Sequence, residues 1–127
     1  MKTILIVEDN KFMSEFLKKL LIKDFKIKIE NSVEQANFFL HGNIYPDLII
    51  LDYLLNEVTC LDLLNTIKTN KFYEKIPVLV LSVGQKSDVR IACLKAGAKD
   101  VLAKPCWNLV LFAYSWIGFE LQIGLTP

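Results

Sequence analysis

The chain has 127 residues, of which 53% are hydrophobic and 23% charged, with five Gly and four Pro. That is enough apolar material for one domain with a real core and too little chain for two, and it excludes a disordered polymer. Fifteen basic and 14 acidic residues leave a formal charge of +1, so attraction to nucleic acid through net charge is not expected.

In chain order, Thr3–Val7 (TILIV) is an unbroken apolar run that predicts a strand buried on both faces. Phe12, Phe16 and Leu20, with Leu17 and Leu21, follow at helical spacing, and Lys18, Lys19 and Lys23 fall on a solvated face. Lys26–Glu30 (KIKIE) alternates, with Ile27 and Ile29 on one side and Lys26, Lys28 and Glu30 on the other. That pattern predicts an edge strand, where lysines discourage stray pairing. Val33–Leu40 reads as a helix with Gly42 at its C-cap, and Leu48–Leu51 (LIIL) as a buried strand. The helix Leu61–Ile67, the strand Val78–Leu81 (VLVL) and the helix Val89–Ala96, capped by Gly97, come next. Val101–Ala103 is a last short strand, and Trp107–Leu125 a last helix. Five strand–helix alternations require crossover connections and a parallel sheet covered on both faces. With the second strand at an edge, the expected fold is α/β, a flavodoxin-like (βα)5 doubly wound sheet of order 2-1-3-4-5 spanning residues 1–127 as one domain.

Cys60, Cys93 and Cys106 are far apart, with no CxxC, and His41 is the single histidine, a helix-end residue. Reduced thiols are expected rather than a zinc site or a disulfide framework. The apolar residues before Glu8 are too few for a signal peptide. Leu109–Phe119 is well short of the roughly 20 residues a membrane span needs. A soluble cytoplasmic protein is the expectation.

Function in such a sheet gathers at the carboxyl ends of the strands. Glu8 and Asp9 follow the first strand, Asp52 the third, Ser82 the fourth, and Lys104 and Pro105 the fifth. The assumed order makes these strands neighbours, so the side chains are expected to converge. Three carboxylates brought together need a raised pKa or a bound cation. Hard oxygen donors without His or Cys favour Mg²⁺. A phosphoryl group on Asp52, as nucleophile, would then meet the metal on one side, the Lys104 ammonium on another and the Ser82 hydroxyl on a third.

With these residues in these places, the sequence resembles the receiver domain of two-component response regulators, from ILIVEDN to about Trp107. PDLIILD ends at Asp52, VLVLS at Ser82, and AGAKDVLAKP carries Lys104 and Pro105. The resemblance implies that Glu8 and Asp9 assist Mg²⁺ binding, with the backbone carbonyl of Leu54 completing the metal shell. It implies that Asp52 accepts phosphate from a histidine kinase or a phosphotransfer protein, and that Lys104 pairs with the phosphoryl group. Ser82 would swing toward the phosphate, and a cis peptide is implied before Pro105. On this reading the chain is not an enzyme beyond its own phosphorylation and dephosphorylation. No nucleic acid is a direct partner.

The sequence departs from the family in several places. After Asp52 the family usually reads D-x-x-M-P-x-x-x-G, where this chain has Leu55, Asn56 and Cys60, so a differently shaped or more mobile loop is expected. Val83, where a small residue is usual, is expected to narrow access to Asp52. Val101 stands where an aromatic switch is usual, so any activation is expected to run through Ser82 and backbone shifts, or to be weak. Tyr53 is read as packing. In the last helix Trp107–Leu125 the single charge is Glu120. Leu109, Phe112, Ala113 and Trp116 form the expected inward stripe, and Val110, Leu111, Tyr114, Ile117 and Leu121 spread over the other directions. Such a helix calls for a second surface, a homodimer mate or an effector protein in preference to a membrane, since it has no basic residue. The competing class is a degenerate receiver serving as a phosphorylation-independent scaffold or dimerisation module. A flavin site or a dehalogenase-type phosphatase is disfavoured: the first strand lacks a Gly-rich phosphate loop, and Asp52 is followed by Tyr53 and Leu54 on the third strand.

Overall fold

Apolar runs become strands here because both faces of each central run find cover. The computed structural model describes residues 1–84, 86–104 and 109–118. In chain order these form β1 (Thr3–Val7), α1 (Lys11–Leu21), β2 (Lys26–Glu30), α2 (Val33–Leu40) and β3 (Leu48–Asp52). There follow β4 (Leu54–Leu55), β5 (Val58–Thr59), α3 (Leu61–Thr69), β6 (Val78–Val83), α4 (Ser87–Lys95) and β7 (Asp100–Lys104). A short helix, α5 (Leu109–Ala113), runs into a single π-helical turn, Tyr114–Gly118. The main sheet has the order β2-β1-β3-β6-β7, and every neighbouring pair is parallel. This is the expected doubly wound order, with β6 and β7 in the fourth and fifth places.

Alternate residues of each central strand divide between two cores. Leu5, Val7, Ile49, Leu51, Val78 and Val80 pack with the buried residues of α2, α3 and α4. Ile4, Ile6, Leu48, Ile50, Leu79 and Leu81 pack with those of α1 and α5. β2 lies at the sheet edge as its alternation implied. Ile27 and Ile29 pack against the second core, while Lys26 and Lys28 face solvent. Asn10 caps α1, its side chain accepting from the Met13 N–H at 2.8 Å, and Ser32 caps α2 by accepting from Gln35 N–H at 3.1 Å.

The structure bears on four expectations. Phe12 is 82% exposed, because the buried stripe of α1 is Ser14, Leu17 and Leu21 and Phe12 lies off it. Gly42 is not the positive-φ residue after α2; that place falls to Asn43, at φ 59°. The segment after Asp52, expected as a differently shaped or more mobile loop, takes the shape of a two-stranded hairpin. Leu54 pairs with Thr59 and Leu55 with Val58, across a two-residue turn with Asn56 at φ 53° and Glu57 at φ 68°. Positive φ at both turn residues is the type I′ geometry that suits the twist of paired strands. Asn56 adopts it readily, whereas a proline there, locked near φ −65°, could not. Fourth, Ile117 joins Leu109 and Ala113 in the buried stripe of the last helix, while Trp116 of the expected stripe packs partly buried on the same core. The wider π turn brings Ile117 inward beside Trp116. Val110 and Tyr114 pack on the same core, with the Tyr114 hydroxyl donating to Asp24 Oδ1 at 2.5 Å. Leu111, 71% exposed, is the large residue left facing solvent on α5. Pro105 with its expected cis bond, Cys106, Trp107 and residues 119–125 lie outside the described residues.

Gly97 does end α4 as expected. Its φ is +109°, its N–H donates to Leu94 O at 3.1 Å, and the next N–H, of Ala98, reaches Cys93 O at 3.0 Å. The two bonds make a Schellman motif. A Cβ at this position would lie 2.7 Å from Lys68 Cγ, and Lys68 is held by bonds from Nζ to the carbonyls of Glu74 and Ile76. Gly97→Ala is expected to lower stability by roughly 1–3 kcal/mol, read from the urea midpoint. Glu57→Gly is expected to raise it by roughly 0.5–1 kcal/mol, because glycine carries no penalty at positive φ.

Candidate functional site

The strand order reverses between β1 and β3, and a crevice opens above their carboxyl ends. Asp52 is the last residue of β3, in register with Leu81 of β6. Glu8 follows β1, its N–H donating to Glu30 O at 3.0 Å and its carbonyl accepting from Asn31 Nδ2 at 3.0 Å. Asp9 comes next, partly open to solvent and held by the backbone N–H of Asn56, which donates to Oδ2 at 3.0 Å. The hairpin tip is thereby tied to the acidic pair. Lys104 ends β7 opposite Val83, and its side chain reaches across β6. Nζ lies 2.8 Å from Glu8 Oε1 and 2.9 Å from Asp52 Oδ1, with the Lys104 side chain 12% exposed.

Oxygens of Glu8, Asp9 and Asp52 all lie within 4.8 Å of one another, the one metal-capable cluster of this kind among the described residues. Glu8 is buried, and burial, reinforced by its bond with Asp52, raises its pKa from 4.5 to about 7 against the opposing pull of Lys104. Burial acts on Asp9 in the same sense, but bonds from the Asn56 backbone and Glu8 outweigh it and hold Asp9 below the ordinary value. Burial works against the Lys104 charge, yet Glu8 and Asp52 more than compensate and raise its pKa. The donors are hard oxygens, and three carboxylates against one ammonium leave excess negative charge. The set therefore fits a divalent cation of the Mg²⁺ or Mn²⁺ kind.

Of the residues singled out in the sequence, Glu8, Asp9, Asp52 and Lys104 meet. Leu54 lies two positions past Asp52, at the start of β4. Ser82 is buried but lines a separate cavity between α4 and β7, with Lys86, Arg90 and Val101. Among the described residues no hydrogen bond joins its hydroxyl to the cup. Val83, 78% exposed, lines the mouth of the cup with Phe12 and Met13. Tyr53 packs against the α2–α4 core. Cys60 and Cys93 are buried free thiols, and burial pushes Cys60 up to about 12, an unreactive state. His41 caps α2, with Nδ1 2.6 Å from Asn37 O.

Two contributors were not foreseen. The Asn56 N–H was invisible because it depends on a turn that forms only with the hairpin. Arg90 bridges α4 to β7, its Nη1 donating to Val101 O at 3.0 Å and lying 3.1 Å from Asp100 Oδ1. An arginine inside a helix gives no sequence signal of that reach.

Comparison with known proteins points the same way. A family model described as "Response regulator receiver domain" matches residues 4–114. The KDP operon transcriptional regulatory protein KdpE of Escherichia coli K12 is 33% identical over 105 residues, covering 83% of this chain and 45% of its own length. The chain thus spans about half or less of the length of these curated relatives. Among solved structures, the signal receiver domain of a signal transduction histidine kinase from Syntrophus aciditrophicus is 30% identical. It has a TM-score of 0.79 and covers 99% of this chain and 93% of that one. The Mn²⁺-bound form of response regulator Rcp1 is 28% identical at a TM-score of 0.79, covering 91% and 94%.

The raised Glu8 pKa sets a pH dependence. Between about 4.5 and about 7 the folded protein holds a proton on Glu8 that the unfolded chain releases, so the Glu8 contribution to stability falls as pH rises through that window. The lowered pKa of Asp9 and the raised pKa of Lys104 act below and above it. In metal-free buffer the urea midpoint is expected to decline from pH 5 to pH 7.5, and Glu8→Gln to flatten that decline.

Proposed function

Since the chain belongs to the response regulator receiver domain family, matched over residues 4–114, we propose that it is a phosphoacceptor signalling domain with Asp52 as the accepting residue. The observation that carries this reading is the contact of one partly buried ammonium, Lys104, with both Glu8 and Asp52 beneath a cleft that opens to solvent. In the transfer, an Asp52 oxygen attacks the phosphorus of a phosphohistidine on a histidine kinase or phosphotransfer protein. The P–N bond breaks, a P–O bond forms, and the imidazole leaves with its electron pair and takes a proton from solvent. Lys104 turns from the Asp52 carboxylate to a phosphoryl oxygen, meeting charge where it develops.

Glu8, Asp9, Asp52 and the Leu54 carbonyl would hold a divalent cation, Mg²⁺ by its availability, as the Mn²⁺ in the similar Rcp1 structure supports. Such a cation neutralises phosphoryl oxygens and lowers repulsion between the donor phosphate and the carboxylates. Glu8 must then ionise, giving up the proton that burial favours. Ser82 moves from its outer cavity to a phosphoryl oxygen, and the Arg90 bridge to Val101 and Asp100 is the contact between α4 and β7 that this movement would disturb. Exposed Leu111 on α5 is the centre of a homodimer or effector contact in this reading.

Incubation with Mg²⁺ and acetyl phosphate is expected to add one phosphoryl group by intact mass. Asp52→Asn or removal of the cation should abolish the gain, and Lys104→Ala should slow it by roughly 10²-fold. Absence of the gain, also with a cognate kinase, would favour the scaffold reading; a gain that persists in Asp52→Asn would move the acceptor elsewhere.

A further inference from the structure

The far end of the sheet from Asp52 carries a surface that phosphorylation does not use. There the loops entering β3, β6 and β7 bring together apolar side chains and lysines. Ile44 is 53% exposed, Tyr45 47% and Phe72 66%. The Tyr45 ring packs on Phe72 at 6.4 Å and on Tyr73 at 5.3 Å between centroids, which joins the α2–β3 and α3–β6 loops into one ridge. Lys71 precedes Phe72, and Lys75 and Lys99 line the adjoining cleft with Lys68. Among the described residues no carboxylate pairs with Lys71, Lys75 or Lys99. Lys68 is engaged, donating to Glu74 O at 3.0 Å and Ile76 O at 2.6 Å. Of the nearby acids, Asp47 accepts from Thr3 N–H at 2.8 Å, Asp100 lies 3.1 Å from Arg90 Nη1 and Asp24 accepts from the Tyr114 hydroxyl at 2.5 Å; Glu74 is the exposed acid of the α3–β6 loop.

Three features narrow the occupant. The ridge is mixed aliphatic and aromatic, with Tyr45 packed on Phe72 and Tyr73, a single ring cluster and not the row of separate ring platforms on which successive bases stack. The cations are all lysines on flexible stems, suited to a diffuse negative layer and not to the bidentate geometry that arginine reads. Several loop tips present these groups at the same end of the sheet, so they can meet a broad flat surface at once. We infer that this end of the domain docks on an anionic lipid bilayer, with Ile44 and Phe72 entering the interface and Lys71, Lys75 and Lys99 meeting headgroup phosphates. Apolar insertion and lysine attraction act together in such binding. A five-residue strand is about 17 Å long, so a domain docked this way holds its acidic cup away from the bilayer and open to a soluble phosphodonor.

The test is co-sedimentation of the full chain with large vesicles of phosphatidylcholine alone or mixed with phosphatidylglycerol. Binding is expected to the mixed vesicles only and to weaken with added salt. Each of Lys71→Gln, Lys75→Gln and Lys99→Gln should weaken it about fivefold. Phe72→Ser should weaken it without changing its salt dependence, Glu74→Lys should strengthen it, and Asp52→Asn should leave it unchanged. Circular dichroism checks that each variant is folded. No binding, equal binding to neutral vesicles, indifference to the lysine substitutions, or displacement by a single-stranded oligonucleotide that itself binds more tightly would each overturn the proposal.

Discussion

The site depends on one ammonium shared by two buried carboxylates. Glu8 and Asp52 come from neighbouring strands and are packed where like charges cannot both be carried without a counter-charge. Lys104 supplies it from the far edge of the sheet, at 2.8 and 2.9 Å. The contact joins residues 96 positions apart, so it exists only when β1, β3, β6 and β7 are in order and in register. Removing the lysine would leave two carboxylates buried with no partner of opposite sign, the costly half of a broken buried pair. The same contact leaves the cup incompletely neutralised, which makes room for a further cation.

Where the sequence departs from its family, the structure gives the departures physical content. Asn56, in place of the usual proline, adopts a positive φ and uses the N–H that proline lacks to hold Asp9. The result is a short ordered hairpin that fixes the solvent side of the cup. Cys60, in place of the usual glycine, is fully buried at the start of α3, its N–H donating to Tyr53 O at 2.7 Å. Val101 leaves the space beside Ser82 without an aromatic ring, and Arg90 clasps the strand there instead.

The unneutralised charge differs between the two ends of the strands; Asp47 and Asp100, also at the amino ends, are engaged by Thr3 N–H and Arg90. Acids gather at the carboxyl ends, where β1 and β3 deliver Glu8, Asp9 and Asp52. Lys71, Lys75 and Lys99 lie at the amino ends. A net charge of +1 conceals this separation, because the sum is blind to where the fold sends each residue. Electrostatic attraction acts locally, within about a Debye length, so the two ends can have different partners.

Much of this was legible in the chain. TILIV, LIIL and VLVL announced strands buried on two faces, and KIKIE its place at the edge, because side-chain alternation and burial are tied to the backbone period. The cluster of Glu8, Asp9, Asp52 and Lys104 followed from strand ends once the order was assumed. Helix faces were harder: Phe12 and Ile117 were misassigned because a one-residue change of stripe, or a π turn, leaves the apolar composition untouched. Which residues form the sheet and which charged groups stand at its ends could be read from the chain, since both follow local periodicity. That Ser82 lines a cavity with Lys86, Arg90 and Val101, that Asn56 braces Asp9 and that Arg90 spans α4 and β7 emerged with folding. Each of those depends on a rotamer or a turn selected by packing against residues distant in the chain.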